Sequence, residues 1–535
     1  SDKLIDFEQS VAGKPWAAWT KQQSTNMYLS YACMALALVI GVGEFMDLEQ
    51  QASNEGASAA YAALWAASSA LTLVLASWVT LIAASKLTPF KDPLTAILGF
   101  ATAWIVYVVV KGFGHFVLVE AEWEVVWANR VLVLIGQQMT EFMTQSPGSE
   151  FCIAECYATN ENWRFWPILY LVFIMVGAAY GTTGDHWAKF VVGFGAAALF
   201  MLGIASAQPE SANYHIEGPQ SRLLFATALG YASFGVSHYY CSVSEEYKAN
   251  RLKSRVAIAG VLTFFFALVI MNPPEFVKDI AVFLGGEPAQ ERLDDVVAGT
   301  YVPTTLDKLA GDGIEASQWG GLFVNLIIAT AGGVLGFGIG VVLAFGRQSD
   351  QPFFSVPSVA VIELVRSGPL ICWLYFAVFM MPDLMDPFFN AEDIVRMLLM
   401  FGIFGGCYIA EVLRGGLQAV DSGQKEAALA LGLSPMQTKF QVELPNAVRT
   451  TLPSIVSVFI GLWKDTTLLF IVNILDFFKL SKDMPNTDLR FLGSFLEPVW
   501  VSALVFWVFA FYLSRVSMKI EKNLGLVREG GGEAA

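Results

Sequence analysis

The residues able to do chemistry in this chain are charged groups set inside apolar runs. Glu363 and Arg366 in IELVRSGPL, and Glu411 and Arg414 in YIAEVLRGG, each stand three apart, so on a helix each pair shares a face. GLWKDTTLL places Lys464 and Asp465, followed by Thr466, in a third apolar run. Adjacent residues do not face each other on a helix, so Lys464 needs a partner elsewhere. A charge at membrane depth costs about 2.5–3.5 kcal/mol or more unless it is paired or faces a cavity. Such groups hold a polar solute, close a gate or join two helices. Two readings stand for each set. Glu363 and Arg366 line a kinked pore helix, or anchor a helix at the membrane interface. The two Glu-x-x-Arg-x-Gly pieces form a charged layer at the cytoplasmic mouth, or snorkel singly. Lys464, Asp465 and Thr466 belong to a gate or substrate pathway, or to a structural ion pair.

Bond-making chemistry has no constellation here. No GxxxxGK[ST] loop is present to cradle phosphates. The four histidines, His115, His186, His215 and His238, lack metal-ligand spacing. The six cysteines form no CxxC pair. Cys152 and Cys156 share a polar loop, where a disulfide is open to them if the backbone brings them together. No catalytic residue, metal or cofactor is expected in the chain itself.

The elements that position these groups are membrane spans. Of 535 residues, 55% are hydrophobic and 15% charged, against about a quarter charged in soluble proteins. Continuous apolar runs predict an all-α polytopic membrane protein and exclude a β-barrel. About twelve spans are expected: 27–43, 61–83, 95–118, 165–181, 188–206, 223–241, 256–272, 320–345, 355–381, 394–413, 452–475 and 496–514. Residues 1–26 are polar, so 27–42 reads as a retained span rather than a leader. Val125–Met143, interrupted by Asn129, Arg130 and two glutamines, reads as an interfacial or amphipathic helix and not as a thirteenth span.

With the N-terminus inside, 18 of the 32 basic residues fall in inner segments and 9 in outer ones. Both termini are then cytoplasmic. The net charge of −15 argues against nucleic acid, and its outer-face excess reads as solvated loops. Organisation follows: an N-terminal membrane extension of about seven spans (1–272), an acidic linker (273–317), a five-span core (318–523) with a cytoplasmic loop (416–450), and a disordered tail (524–535). In the core, Gly332, Gly336 and Gly340 make a flat stripe for close packing on a neighbouring span, of this chain or a paired subunit. Gly368-Pro369 should break a helix within a span.

The cytoplasmic loop carries the strongest pattern, QKEAALALGLSPMQTKFQVELP from Gln424 to Pro445. Glu426 opens a helix that Gly432 stops. Ser434 caps a second helix with Pro435 at its first position, and Pro445 ends it. Two short helices with a glycine elbow, bearing small alanines, form a docking surface; a plain amphipathic loop is the alternative.

This stretch resembles the cytoplasmic loop of importer-type ABC permeases. SGPLICWLYF, YIAEVLRGGLQAV, FIGLWKDTTLL and YLSRVSMKIEKNLG resemble the polar amino-acid uptake branch, in one order over about 200 residues. SQWGGLFVNLIIAT, with WEVVWANRVLVLIGQ and ENWRFW before it, is similar to the M-type permease of general L-amino-acid transporters. The resemblance implies a five-helix type I importer core in the bacterial inner membrane. It also implies two ATPase subunits supplying ATP-Mg, a second permease (heterodimer favoured over homodimer) and an extracytoplasmic amino-acid-binding protein. Glu426, Ala427, Ala428, Gly432, Leu444 and Pro445 would couple to the ATPase. The competing readings are an ion-coupled secondary transporter, which usually shows two similar halves absent here, and a non-transport membrane scaffold.

Overall fold

The computed structural model describes residues 16–84, 93–136, 141–142, 161–183, 187–206, 214–215, 219–288, 304–311, 319–385, 393–486 and 488–523. Cys152, Cys156 and the tail 524–535 lie outside the described residues. Two compact units are present, Ser1–Glu122 and Trp123–Ala535. The division falls earlier than the sequence suggests, so the helices of 165–271 belong to the same unit as the core.

The first unit holds α1 (Trp16–Asn54), α2 (Ala59–Ala84) and α3 (Pro93–His115), the last extended by a π turn, Phe116–Glu120. Alanines (Ala52, Ala62, Ala66) let these helices approach, and Trp65 is buried among them. Its indole N–H donates to the Lys111 carbonyl at 2.9 Å. Lys111 pairs with Glu44 at 2.6 Å, the arrangement that makes charges tolerable at membrane depth.

The second unit begins with α4 (Glu124–Ile135), then α5 (Phe165–Thr183), α6 (Trp187–Ser206), α7 (Pro219–Val243) and α8 (Glu246–Met271). Short helices α9 (Glu275–Phe283) and α10 (Thr305–Ala310) follow. The core comprises α11 (Gly321–Arg347), α12 (Pro352–Ser367), α13 (Leu370–Tyr375), α14 (Met381–Met385) and α15 (Asp393–Gln418). It continues with α16 (Ser422–Ala430), α17 (Pro435–Thr438), α18 (Leu444–Asp465), α19 (Phe477–Asp483) and α20 (Leu496–Asn523). Among the described residues the strands are two-residue pieces, β1 (Glu141–Phe142) antiparallel to β2 (Tyr214–His215).

Ten helices are long and apolar enough to cross a membrane, and eleven spans result if the bent pair Pro352–Ser367 and Leu370–Leu384 is one. These match eleven of the twelve expected spans. The twelfth, 223–241, is helical within α7, but its serines, tyrosines and His238 leave it less apolar. The bend of 107° falls at Gly368-Pro369, as expected. The Trp373 indole donates to the freed Val365 carbonyl at 3.0 Å, which satisfies one group that the break exposes.

Helix α4 packs into the core rather than lying free on its surface. It ends at Ile135, and Val125, Ala128, Asn129 and Arg130 are buried against the core. Its polar groups are met from within: Arg130 donates to the carbonyls of Ile204 at 2.5 Å and Trp127 at 2.6 Å, and Asn129 to that of Val125 at 3.0 Å. The glycine stripe packs within the chain. A Cβ at Gly336 would lie 3.2 Å from the Gly406 nitrogen, and one at Gly340 would lie 2.7 Å from Ile409. Helices α11 and α15 therefore meet nearly backbone to backbone.

Candidate functional site

The loop between α15 and α18 forms two short helices. Asp421 caps α16 by accepting from the Gly423 N–H at 2.7 Å, so the helix starts four residues before Glu426. Gly432 takes φ +86°, a left-handed conformation costly for any residue with a Cβ. Ser434 and Gln437 then make a capping box, with Pro435 at the first position of α17. Pro445 does not end that helix. A π turn, Lys439–Glu443, carries the chain directly into α18 and absorbs the missing proline N–H.

This elbow is tied to the bundle on one side and open on the other. Asn446 Nδ2 donates to Gln424 Oε1 at 2.8 Å, and Phe440 packs on Phe345 of α11 with ring centroids 5.5 Å apart. Glu426, Ala427 and Gly432 are exposed, while Ala428 is buried, so Ala428 holds the helix down. Leu444 is half-buried and Pro445 exposed. Leu431 is 83% exposed and Met436 65%, an apolar surface with nothing on it.

Above the elbow, the two Glu-x-x-Arg pairs meet in one charged layer. Glu411 accepts from Arg414 at 3.1 Å and from Arg347 at 2.6 Å, and lies 3.7 Å from Arg366. Arg347 also binds Glu363 at 3.0 Å. Arg366 lies over the Tyr408 ring, 5.4 Å from its centroid. Arg347, at the end of α11, was missed by the sequence reading. Its basic side chain, last in a long apolar helix, was the available signal.

Lys464, Asp465 and Thr466 do not join this layer. Gly416 packs on Ala447, while Lys464 stands 17 residues along α18, about 25 Å further. Lys464 is exposed and has no ion pair within 4 Å among the described residues. Ser454, Ser457 and Lys464 are exposed on one face of α18, and a Cβ at Gly461 between them would touch nothing. Small polar residues at spacings of three and four were the unused signal for this face.

Thr466 is fully buried in a separate node. Asn325 Nδ2 donates to Thr466 Oγ1 at 3.0 Å and to Asp476 Oδ2 at 3.2 Å, and Asn325 Oδ1 accepts from the Phe477 N–H at 2.8 Å. Asp476 caps α19, accepting from the N–H groups of Phe478 at 3.1 Å and Lys479 at 3.0 Å. Burial pushes its carboxyl up to about 6, against these hydrogen bonds, which lower it. Thr466 thus braces the turn after α18.

Residues 336–524, which hold both the elbow and the charged layer, match the model of the family described as binding-protein-dependent transport system inner membrane component. The chain is 39% identical over 211 residues to the glutamate/glutamine/aspartate/asparagine transport system permease protein BztC of Rhodobacter capsulatus, covering 39% of this chain and 49% of that one. It is 38% identical over 215 residues to the inner membrane amino-acid ABC transporter permease protein YhdY of Escherichia coli, covering 40% and 58%. The chain thus spans about half the length of these two relatives. With the probable amino-acid ABC transporter permease protein y4tG of Sinorhizobium fredii, identity is 32% over 177 residues, covering 32% of this chain and 74% of that one. The chain belongs to the family of binding-protein-dependent transport system inner membrane components, and these relatives within it are permeases of amino-acid transport.

Proposed function

We propose that this chain is the translocation subunit of an ATP-driven amino-acid importer, coupled to a separate ATPase through α16 and Gly432. The supporting observation is the elbow itself: a capped, rigid pair of short helices, tied to α11 and α18, whose outer surface presents Glu426, Ala427 and Leu431. A rigid element with an uncovered apolar tip is what a groove on a partner would grip. Movement of that partner on ATP hydrolysis would pass through Asn446 and Phe345 into α18 and α11. The charged layer around Glu411 lies on this route, and its ion pairs can break and re-form as the helices shift.

The cargo is a small zwitterion delivered by an extracytoplasmic binding protein. The face of α18 bearing Ser454, Ser457, Gly461 and Lys464 supplies hydroxyls and one cation for a carboxylate. A second permease, most simply a different chain of the same family, would close the pathway across this face. Two ATPase subunits and the bacterial cytoplasmic membrane, with both termini inside, complete the arrangement.

The test is co-purification with the ATPase together with ATP-dependent uptake. Leu431→Arg and Gly432→Trp should abolish both, and Leu431, so exposed, can change without unfolding the chain. Unchanged association and uptake in both variants would sink the assignment.

A further inference from the structure

At the end of the second unit opposite the elbow, α4, α5, α6, α8 and the first turns of α11 line a half-open cavity of about 550 Å³. Its size lies within the ordinary range for small-molecule sites. The wall is apolar: Phe165, Phe200, Met201, Phe264 and Phe323 face it, with Trp166 at one side. Two threonines reach it, and each spends its hydroxyl on its own helix. Thr263 Oγ1 donates to the Ala259 carbonyl at 2.9 Å and Thr330 Oγ1 to that of Leu326 at 2.6 Å. A water molecule here would find too few of the polar partners it needs.

One polar group on the wall is unmet. Trp166 is 4% exposed, and its indole N–H has no hydrogen-bond partner among the described residues. A buried N–H left unmade is costly, so it points to an acceptor supplied from outside the chain. Beside it, the Arg222 guanidinium lies over the Trp166 ring, 5.2 Å from its centroid, with no carboxylate within 4 Å among the described residues. A half-open apolar slot, a single donor at its side and a cation with no carboxylate beside that donor describe an amphiphile with an acyl chain, an ester oxygen and a negative head.

We propose that this cavity binds one anionic phospholipid, its acyl chain in the slot, an ester carbonyl on the Trp166 N–H and its phosphate beside Arg222. A peptide segment fits poorly, because its backbone groups would enter without partners. Bound so, the lipid would fill the space between α5, α6 and α8 on one side and α11 on the other. It would strengthen the packing of α5, α6 and α8 on the core within the second unit, independently of how the core is coupled to an ATPase.

The test uses the full chain purified in mild detergent and read by native mass spectrometry with lipid extraction. The unaltered protein should retain about one phospholipid per chain after extensive washing, with phosphatidylglycerol or cardiolipin preferred over phosphatidylethanolamine when each is added back. A Cβ at Gly260, on the cavity wall, meets nothing within 4 Å, so Gly260→Phe should fill the slot without a clash and cut retention roughly tenfold. Gly193→Phe, equally open but not on the wall, should leave retention intact. Trp166→Phe, which keeps the ring and removes the donor, should lower retention about fivefold. Arg222→Gln should remove the anionic preference. Full retention in both Gly260→Phe and Trp166→Phe would overturn the proposal. So would recovery of a quinone, a free fatty acid or no lipid from the unaltered protein.

Discussion

Two polar clusters lie at opposite ends of the core and are built on opposite principles. Around Glu411, three arginines converge on one carboxylate in a partly exposed layer, and Arg347 is shared with Glu363. Around Asn325, the bonds are buried and directional, and one side-chain amide ties Thr466, Asp476 and the Phe477 N–H together. Ion pairs in a half-solvated layer exchange at little cost. A buried amide network does not, because each broken bond strands a group away from water. The contrast separates an end that can rearrange from an end that must stay fixed, and it places the elbow at the end able to move.

The largest expected effect lies in the fixed node. Asn325→Leu strands the Phe477 N–H and removes two bonds to Thr466 and Asp476, a loss of about 3 kcal/mol, read as a lower Tm in detergent. A loss confined to transport, with Tm unchanged, would erase the distinction between the two ends.

The next effect is pH dependence. The Asp476 carboxyl rises from 3.8 to about 6 in the folded protein, so folding favours its protonated form. The stability this confers is fully present below pH 3.8 and is lost as pH rises through about 6. Stability should therefore fall between about pH 4 and 6.5, by an amount on the order of 2 kcal/mol read as a lower Tm, and Asp476→Asn should flatten that slope. An unchanged slope in the variant would assign it to other groups.

Smaller effects are expected at the movable end. Glu411→Gln leaves three arginines facing one another, yet solvent screens them, so stability should fall by about 1 kcal/mol while uptake falls far more. Added salt should narrow the difference in stability. Gly432→Ala should cost about 1 kcal/mol from its φ of +86°, felt only locally as faster amide exchange in α16. If Gly432→Ala lowers global Tm as much as Asn325→Leu, the elbow is part of the fixed structure.

Much of the movable end was legible in the sequence. Capping residues, glycine stops and Glu-x-x-Arg spacing act within a few residues, so Gly432, Ser434 and the four charged residues speak locally, while the Asp421 cap, ahead of the expected helix start, was passed over. Gly368-Pro369 announced its own bend. The fixed node was hidden because it joins positions about 140 and 150 residues apart, and nothing in GLWKDTTLL distinguishes a buried Thr466 from a solvated one. Arg347 was overlooked for the same reason: its carboxylates come from two other helices. Helix α4 misled because Asn129 and Arg130 look amphipathic, while their actual partners are carbonyls of α4 itself and of α6. Ala428, expected among the contact residues, is buried because the way α16 is tied down sets which of its alanines face out.

The π turn at Lys439–Glu443 has a consequence for how the elbow could diversify. A π turn is one residue more than an α-helical turn needs, kept inside a continuous helix. Deleting a single residue there would convert it to α-helix and rotate everything before it by about 100° about the α18 axis. The azimuth at which the elbow meets a partner is thus indexed by one codon, a phase setting that can change without altering either the bundle or the elbow's own sequence.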